Sequence, residues 1–454
     1  MKETTAYKKH VQQVAALRQS LVGNTEPIRL KKKSISNLFR YTGHTAPDAP
    51  SLQVDLSGFN KPLALDIEKK TLDVQGLATN ETIADFTLRH NLLPLTLPGL
   101  KHITIGGAIV GIGFESTSFQ HGFVHDCLLE AEVLLPDGRI IVCSKLENTD
   151  LLYGLPNSFG TLGYILRAKI QLREVTPYVA LTTKRYTDIS QYMTAVEAVV
   201  NAGRADYIES LVYTKDELYL TTGVNIQKPE SVTLMSIYGP TIFYQEISKP
   251  GLVTLRTKEY LFRYDPEWFW GLPQDPVYKF FRRLAPPSLR NSRTYSKYFK
   301  WKQKHDVKKV PQTVSTDEEL IQDWLVTWQD GEALLRYALM TVDLQGKPWM
   351  PTPIVSKGTS LLYPVKPGEL YFNLGSYTYA KCKEGGETYQ NTKLMDTFCF
   401  AKNGLKMLYS TSFIFKEKFD SIFGGESYRV LKAKYDPHAL AGQLYTKVVK
   451  TDVQ

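Results

Sequence analysis

Four cysteines in 454 residues, at 127, 143, 382 and 399, form no CxxC pair and no other metal-type spacing. That excludes a zinc ribbon and a disulfide scaffold, and it predicts reduced thiols in a cytoplasmic protein. The eight histidines contain no HExxH or similar ligand pattern, so no structural metal is expected. No run of about 18 apolar residues occurs, which excludes a transmembrane helix. The start, MKETTAYKKHVQQVAALRQSL, is too polar for a secretory signal. GxxxxGK[ST] is missing, which excludes a P-loop, and no GxGxxG opens a long helix after a strand. No internal repeat or long low-complexity linker appears.

What is present is ordinary in amount and unusual in placement. Hydrophobic residues make up 43% and charged residues 22%, as in a soluble globular protein, and the length calls for two domains. Glycine crowds into residues 98–164, at 99, 106, 107, 111, 113, 122, 138, 154, 160 and 163. Hydroxyls stand among them at Thr104, Ser116, Thr117, Ser118, Ser158 and Thr161. Glycine lets main chain approach a ligand closely, and successive N–H groups in such turns form an anion-binding concavity. No Lys or Arg lies between Lys101 and Arg139, so a phosphate held here would rely on main-chain dipoles and hydroxyls. Taken alone, these glycines are equally compatible with turns in an ordinary β protein.

The order of signals is more specific. Pro98-Gly99 precedes Thr104-Ile105-Gly106-Gly107, then Gly111-x-Gly113-x-Glu115-Ser116-Thr117-Ser118, then His121-Gly122. EAEVLLPDGRIIVCS follows as a hairpin with Asp137-Gly138 at its turn. Asn148-x-Asp150-Leu151 then leads to Gly160-Thr161-Leu162-Gly163-Tyr164. This order resembles the FAD-binding domain of the vanillyl-alcohol oxidase and p-cresol methylhydroxylase superfamily, especially its sterol side-chain reductase branch and bacterial relatives. The likeness extends through ELYFNLGSY (369–377) and GLKMLY (404–409), and is weakest at 175–250 and 305–360.

The resemblance implies an α+β fold: a two-subdomain FAD-binding domain of the vanillyl-alcohol oxidase type plus an α+β substrate (cap) domain. It places the FAD domain at 1–176 and the cap at 177–425. Residues 426–454, with YRVLKAKYDPHAL, are then a C-terminal segment returning to the FAD domain. By motif position, Thr104, Ile105, Gly106, Gly107, Gly111, Gly113, Ser116, Thr117, Ser118 and Gly122 should hold FAD. So should Gly160, Thr161, Gly163 and the main chain at Ile165. Ser34, Ser36 and Asn37 stand where the superfamily has its first phosphate loop, usually glycine-rich and here not. Neither loop offers an attachment His or Cys at the usual place, so non-covalent FAD is expected. His121 and His125 are read as packed or solvated, not catalytic.

Local patterns predict a helix over 8–22 and strands at 28–33, 52–56, 63–67 and 71–75. Asn80 is read as the cap of a helix through about His90. A helix over 189–202 and strands at 207–213, 217–223, 370–376 and 405–415 follow. Net charge is +9, and residues 256–309 hold 14 Lys and Arg against 5 Asp and Glu, an excess equal to that of the whole chain. Thirteen aromatics, among them Trp268, Phe269, Trp270, Phe280, Phe281 and Trp301, interleave with those charges. The pattern suits docking on an anionic bilayer; the competing reading is an irregular segment with its aromatics turned inward. No nucleic-acid module accompanies it.

Reducing an unactivated C=C takes a hydride on one carbon and a proton on the other. The candidate proton donors are Glu115, Tyr371, Tyr377 and Tyr409. Glu115 sits in the flavin loop, where burial favours an acid; the alternative is an acceptor for loop N–H groups. Tyr371 and Tyr377 share a strand face in ELYFNLGSY, with core packing the alternative role. Tyr409 lies where a related sugar-lipid epimerase-oxidase group has a Tyr followed three residues later by Lys. Here that later position is Ser412.

Three functions stay open at this stage. The first is an FAD-dependent reductase of a C=C in a membrane lipid, a sterol side chain or fatty acyl chain. Its electrons would come from NADPH or NADH, and it would sit on the inner face of the membrane as a peripheral protein. The second is an FAD oxidase or dehydrogenase of an alcohol or sugar lipid. The third is a flavin-free, membrane-associated binding protein.

Overall fold

Short alternating runs in the first third of the chain build two sheets. The computed structural model describes residues 4–21, 24–31, 51–229, 234–270, 280, 282, 284–305, 317–383 and 385–449. Ile28–Lys31 pairs in parallel with Leu52–Asp55. The larger sheet is ordered Pro62–Asp66, Thr71–Gln75, Tyr164–Glu174, Leu128–Leu134, Ile140–Ser144, with Leu92–Pro94 added on Tyr164–Glu174. The predicted Asp137-Gly138 hairpin forms, Gly138 taking φ +86°, a conformation open to glycine at little cost. Thr79, not Asn80, caps the helix Asn80–Thr87. The Asn80 amide instead donates to the carbonyls of Pro98 (2.8 Å) and Leu100 (3.2 Å), tethering the start of the glycine segment.

Two glycines let that segment settle on the sheet. A Cβ at Gly76 would lie 1.9 Å from the Ile165 carbonyl oxygen, and Gly106 N–H donates to the Gly76 carbonyl at 2.9 Å. Strand and short helix (Ile105–Val110) thus meet backbone to backbone, over a core that includes Val74, Ile109, Val133 and Ile165.

The rest of the chain forms two four-stranded antiparallel sheets. One is ordered Tyr207–Thr214, Glu217–Ile226, Tyr178–Tyr186, Gly251–Arg256. The other is ordered Met350–Val355, Leu370–Lys381, Asp317–Thr327, Leu405–Lys406. Val212 and Trp349 exchange main-chain hydrogen bonds of 2.9 and 2.8 Å and join the two into one eight-stranded surface. The period of two along each strand divides its faces. Trp324, Phe372 and Leu374 pack with Ile189, Leu334, Leu335 and Met395 from the covering helices. Asp323, Asn373 and Tyr377 point the other way, toward the glycine segment. The strand expected over 405–415 is confined to Leu405–Lys406; beyond it the chain turns and carries Tyr409 back to that face.

Helix Gly425–Tyr435 lies on the first sheet's layer. Its Lys432 ammonium donates to the Thr161 carbonyl (2.9 Å) and its Tyr435 hydroxyl to Asp150 (2.7 Å). The class is α+β, as read from the sequence. Because the Ile165 carbonyl leaves no room beside Gly76, Gly76→Ala should lower unfolding free energy by about 1–3 kcal/mol in denaturant titration.

Candidate active site

A cleft of about 310 Å³ lies between the glycine segment and the eight-stranded surface. Thr104, Gly107, Gly111, Gly113 and Ser116 form one wall, and Phe269, Met350, Thr352, Tyr377 and Tyr409 the wall opposite. The first wall is main chain for a local reason. Thr104 caps the helix Ile105–Val110, its hydroxyl accepting from Gly107 N–H at 3.3 Å, so the loop turns tightly over glycines. Beyond them Ser118 Oγ accepts from Glu115 N–H at 2.9 Å and closes the next turn.

At one end the walls are tied by charge. Arg263, 2% exposed, donates to Glu115 of the glycine segment at 2.5 Å. Its Nε lies 2.7 Å from Glu209 of the eight-stranded surface, an ionic contact whose N–H is not aimed at the oxygen. Glu209 also accepts from the Tyr264 hydroxyl (2.7 Å), and Glu115 from Ser116 N–H (2.8 Å). The guanidinium lies over the rings of Tyr260 and Tyr264, 4.4 and 5.0 Å from their centroids. Glu115 is thereby an acceptor, committed to a cation and a loop N–H.

On the opposite wall the polar centre is Asp323, which is fully buried. It accepts from the Asn373 amide (2.6 Å), from the Tyr377 hydroxyl (2.9 Å) and from the Tyr409 hydroxyl. Gly375, its direct neighbour across the strands, makes room: a Cβ there would lie 2.6 Å from Asp323 Oδ1. Burial pushes the Asp323 carboxyl up to about 6, against the pull of its three donors. Burial likewise holds the Tyr377 and Tyr409 hydroxyls well above their ordinary value, so both stay phenols at neutral pH. The Tyr377 ring is clamped flat on Phe269, centroids 4.1 Å apart.

The residues singled out by motif divide into two groups. Thr104, Gly107, Gly111, Gly113, Ser116, Glu115, Tyr377 and Tyr409 meet at the cleft. Ile105, Gly106, Thr117 and Ser118 build the loop from behind, Thr117 donating to the Leu95 carbonyl at 3.0 Å. Gly122 takes φ +75° beyond that loop, where it ends the short helix Ser118–His121. Gly160, Thr161, Gly163 and Ile165 form the turn into strand Tyr164–Glu174; their neighbour Phe159 reaches the cleft. Tyr371 packs away from it, its hydroxyl engaged with Glu369 and Lys366 N–H. His125 is buried against Phe123, and burial lowers His121 to about 4. Ser34, Ser36 and Asn37 lie outside the described residues.

Asp323, Asn373, Glu209 and Arg263 escaped the motif reading. The signal for Asp323 was partial: an acid beside Trp324-Leu325-Val326 in the apolar half of a strand, a place where Asp is depleted.

The cleft suits a flavin ring. Its glycine wall offers main chain without side chains, and the charged groups lining it, Glu115, Glu209 and Arg263, are tied to one another. A flat, mostly apolar ring with a polar edge fits such walls.

Comparison with known proteins points the same way. Residues 30–144 match the family described as FAD binding domain. The chain is 27% identical over 408 residues to Delta(24)-sterol reductase of Homo sapiens, covering 86% of this chain and 76% of that protein. With Delta(24)-sterol reductase of Arabidopsis thaliana it shares 25% identity over 450 residues, 85% and 74% of the two chains. With Cytokinin dehydrogenase 5 of Arabidopsis thaliana it shares 26% over 203 residues, 43% and 37%.

Removing the cation between two buried carboxylates leaves them uncompensated. Arg263→Met should therefore cost about 3–5 kcal/mol of stability, read by chemical denaturation. It should cost more than Glu115→Gln, which leaves Glu209 beside the guanidinium.

Proposed function

We propose that this chain, which is similar to the sterol reductase-like branch of the FAD-binding superfamily, reduces a carbon–carbon double bond of a membrane lipid. The lipid is a sterol side chain or an unsaturated fatty acyl chain, and the electrons come from NADPH or NADH. The observation that carries this reading is the cleft itself, where a main-chain wall faces two phenols that stay protonated at neutral pH.

FAD supplies the hydride chemistry when bound. The chain's own residues do the rest. Gly107, Gly111 and Gly113 allow the ring to lie close to main chain, with Thr104 and Ser116 at its polar edge. The Arg263 ion pairs hold that wall at a fixed spacing from the Tyr377–Tyr409 wall. Phe269 and Met350 line the path of an apolar chain and keep water from it. Tyr409 or Tyr377 then gives the proton to the carbon that does not receive the hydride. Glu115, committed to Arg263, serves as an acceptor in this scheme.

Ser412 favours reduction over oxidation of an alcohol or sugar lipid. It stands where the related oxidases carry Lys, and it is buried. The site offers acids and no free base of that kind. We further propose non-covalent FAD, since the described part of the glycine loop has no attachment residue. Acid precipitation should release all the flavin into the supernatant. Under anaerobic conditions NADPH or NADH should bleach it. A Delta(24)-sterol, or a phospholipid with a methylene-branched acyl chain, should then restore the colour and gain two hydrogens by mass spectrometry. Turnover sustained by oxygen alone with release of peroxide would point to the oxidase reading, and a protein purified without flavin to the binding-protein reading.

The basic stretch supports docking on a bilayer, through a narrower set of residues than its composition implies. Arg282 and Arg290 are buried on Glu267, at 2.5 and 3.1 Å, and Trp268 and Trp270 are buried too. Phe280, Leu284, Leu289 and Trp301 are exposed. The segment also borders the cleft, since its Arg263, Tyr264 and Phe269 line it. No described helix is long and apolar enough to cross a membrane. We propose that this surface sits on an anionic leaflet, on the cytoplasmic side, and delivers lipid to the cleft. Combining Leu284→Ser, Trp301→Ala, Arg293→Gln and Lys297→Gln should weaken sedimentation with anionic vesicles about tenfold or more, at ~1 kcal/mol per basic group. Unchanged sedimentation would refute the surface.

A further inference from the structure

The polar centre behind the two phenols has a task that neither motif nor relative assigns. Asp323 is fully buried, and among the described residues no ion pair reaches it. Its three partners are neutral donors: Asn373, Tyr377 and Tyr409. A carboxyl with no cation beside it and no water around it does not remain ionised as a surface aspartate does. Several other buried carboxylates have a cation beside them, while Glu318 and Asp265 are held by main-chain N–H groups instead. Asp396 has Lys406 at 2.9 Å, and Glu115 and Glu209 share Arg263. Asp323 also occupies space that the chain has cleared for it at Gly375, one layer behind the cleft.

We propose that Asp323 is the positioning residue and proton reservoir of Tyr409. This rests on the reductase reading above. In its protonated form Asp323 donates to the Tyr409 oxygen and so turns the phenol's own O–H toward the cleft. Tyr377, clamped on Phe269, keeps its place as a fixed donor to the same carboxyl. As one alkene carbon takes a hydride from reduced flavin, the other forms a C–H bond with the Tyr409 proton, and the Tyr409 O–H bond breaks. The phenolate then takes the Asp323 proton, re-forming O–H on Tyr409. The Asp323 carboxylate, held by Asn373 and Tyr377, regains a proton from water once product leaves. One hydride and one proton, two hydrogens in all, have then added across the double bond, and the protein is restored.

The titratable groups facing Asp323 are few. Tyr377 comes from strand Leu370–Lys381 and Tyr409 from the turn after Leu405–Lys406. Tyr363 senses its charge through space, and Tyr377 senses the Glu115 charge across the cleft. Lys406 is bonded to Asp396 beside Trp324, on the opposite face of Asp323's strand. Covering the cleft with a ring system and a lipid chain removes further water and shifts Asp323 in the direction burial has already moved it.

The test uses the flavin-loaded enzyme and the protein without substrate. Infrared difference spectra across the titration near 6 should show a protonated carboxyl band. The band should vanish in Asp323→Asn and shift in Tyr409→Phe, which removes one donor. The reduced enzyme should then be mixed with a Delta(24)-sterol or the methylene-branched phospholipid. Its reoxidation rate should fall as pH rises through the Asp323 titration, because the protonated form is the active one. Asp323→Asn should lower that rate about 100-fold or more and flatten the profile, and Asp323→Glu should restore part of both. A wild-type spectrum with no such band overturns the proposal without any variant needing to fold. So does an Asp323→Asn enzyme with unchanged rate and profile. A wild-type flavin that nicotinamide does not reduce would instead sink the reductase reading, while the infrared band still decides the state of Asp323.

Discussion

The cleft depends on one buried guanidinium. Arg263 stands between a carboxylate of the glycine segment and a carboxylate of the eight-stranded surface, and neither wall is otherwise joined to the other by charge at that point. Coulomb attraction in a site that excludes water is strong, and it is also unforgiving of displacement. The spacing of the two walls is therefore set by this contact together with the bond from Ile208 N–H to the Ser116 carbonyl (3.0 Å), and not by the compliance of apolar side chains. Everything the site does requires that spacing, from the approach of a ring to glycine main chain to the reach of a phenol.

Legibility from the sequence followed the physics of each part. The first domain was readable because its constraints are local. A hairpin turn at φ > 0 demands the glycine of Asp-Gly, a helix start demands a hydroxyl, and a tight loop leaves no room for a Cβ, so Gly138, Thr104 and the run Gly107, Gly111, Gly113 stand out by order alone. Asn80 was misread for the same reason. It sits beside a true cap, Thr79, and its long-range bonds to Pro98 and Leu100 leave no local trace.

The second wall was harder to read. Tyr377 and Tyr409 were found by likeness to a family, and Tyr371 came with them because strand alternation cannot tell two positions on one face apart. Six residues along a strand is roughly 20 Å, enough to move Tyr371 out of the cleft. Asp323, Asn373, Glu209 and Arg263 come from distant parts of the chain and meet only through strand register, so no local window shows them as partners. The basic segment illustrates the limit of composition: Arg282 and Arg290 are spent inside, on Glu267 and carbonyl groups.

The neutrality of the cleft interior has a consequence for sorting among lipids. Among the described residues its one lining cation is already satisfied by two carboxylates, and the opposite wall presents phenols. A phosphate or carboxylate entering would lose its hydration and find no counterion, at a cost of several kcal/mol. An anionic head group would thus be turned back, while a hydrocarbon tail would enter at no such cost. Discrimination of this kind works by dehydration and not by recognition: it ignores what a lipid's head group is and inspects only the part that can be stripped of water.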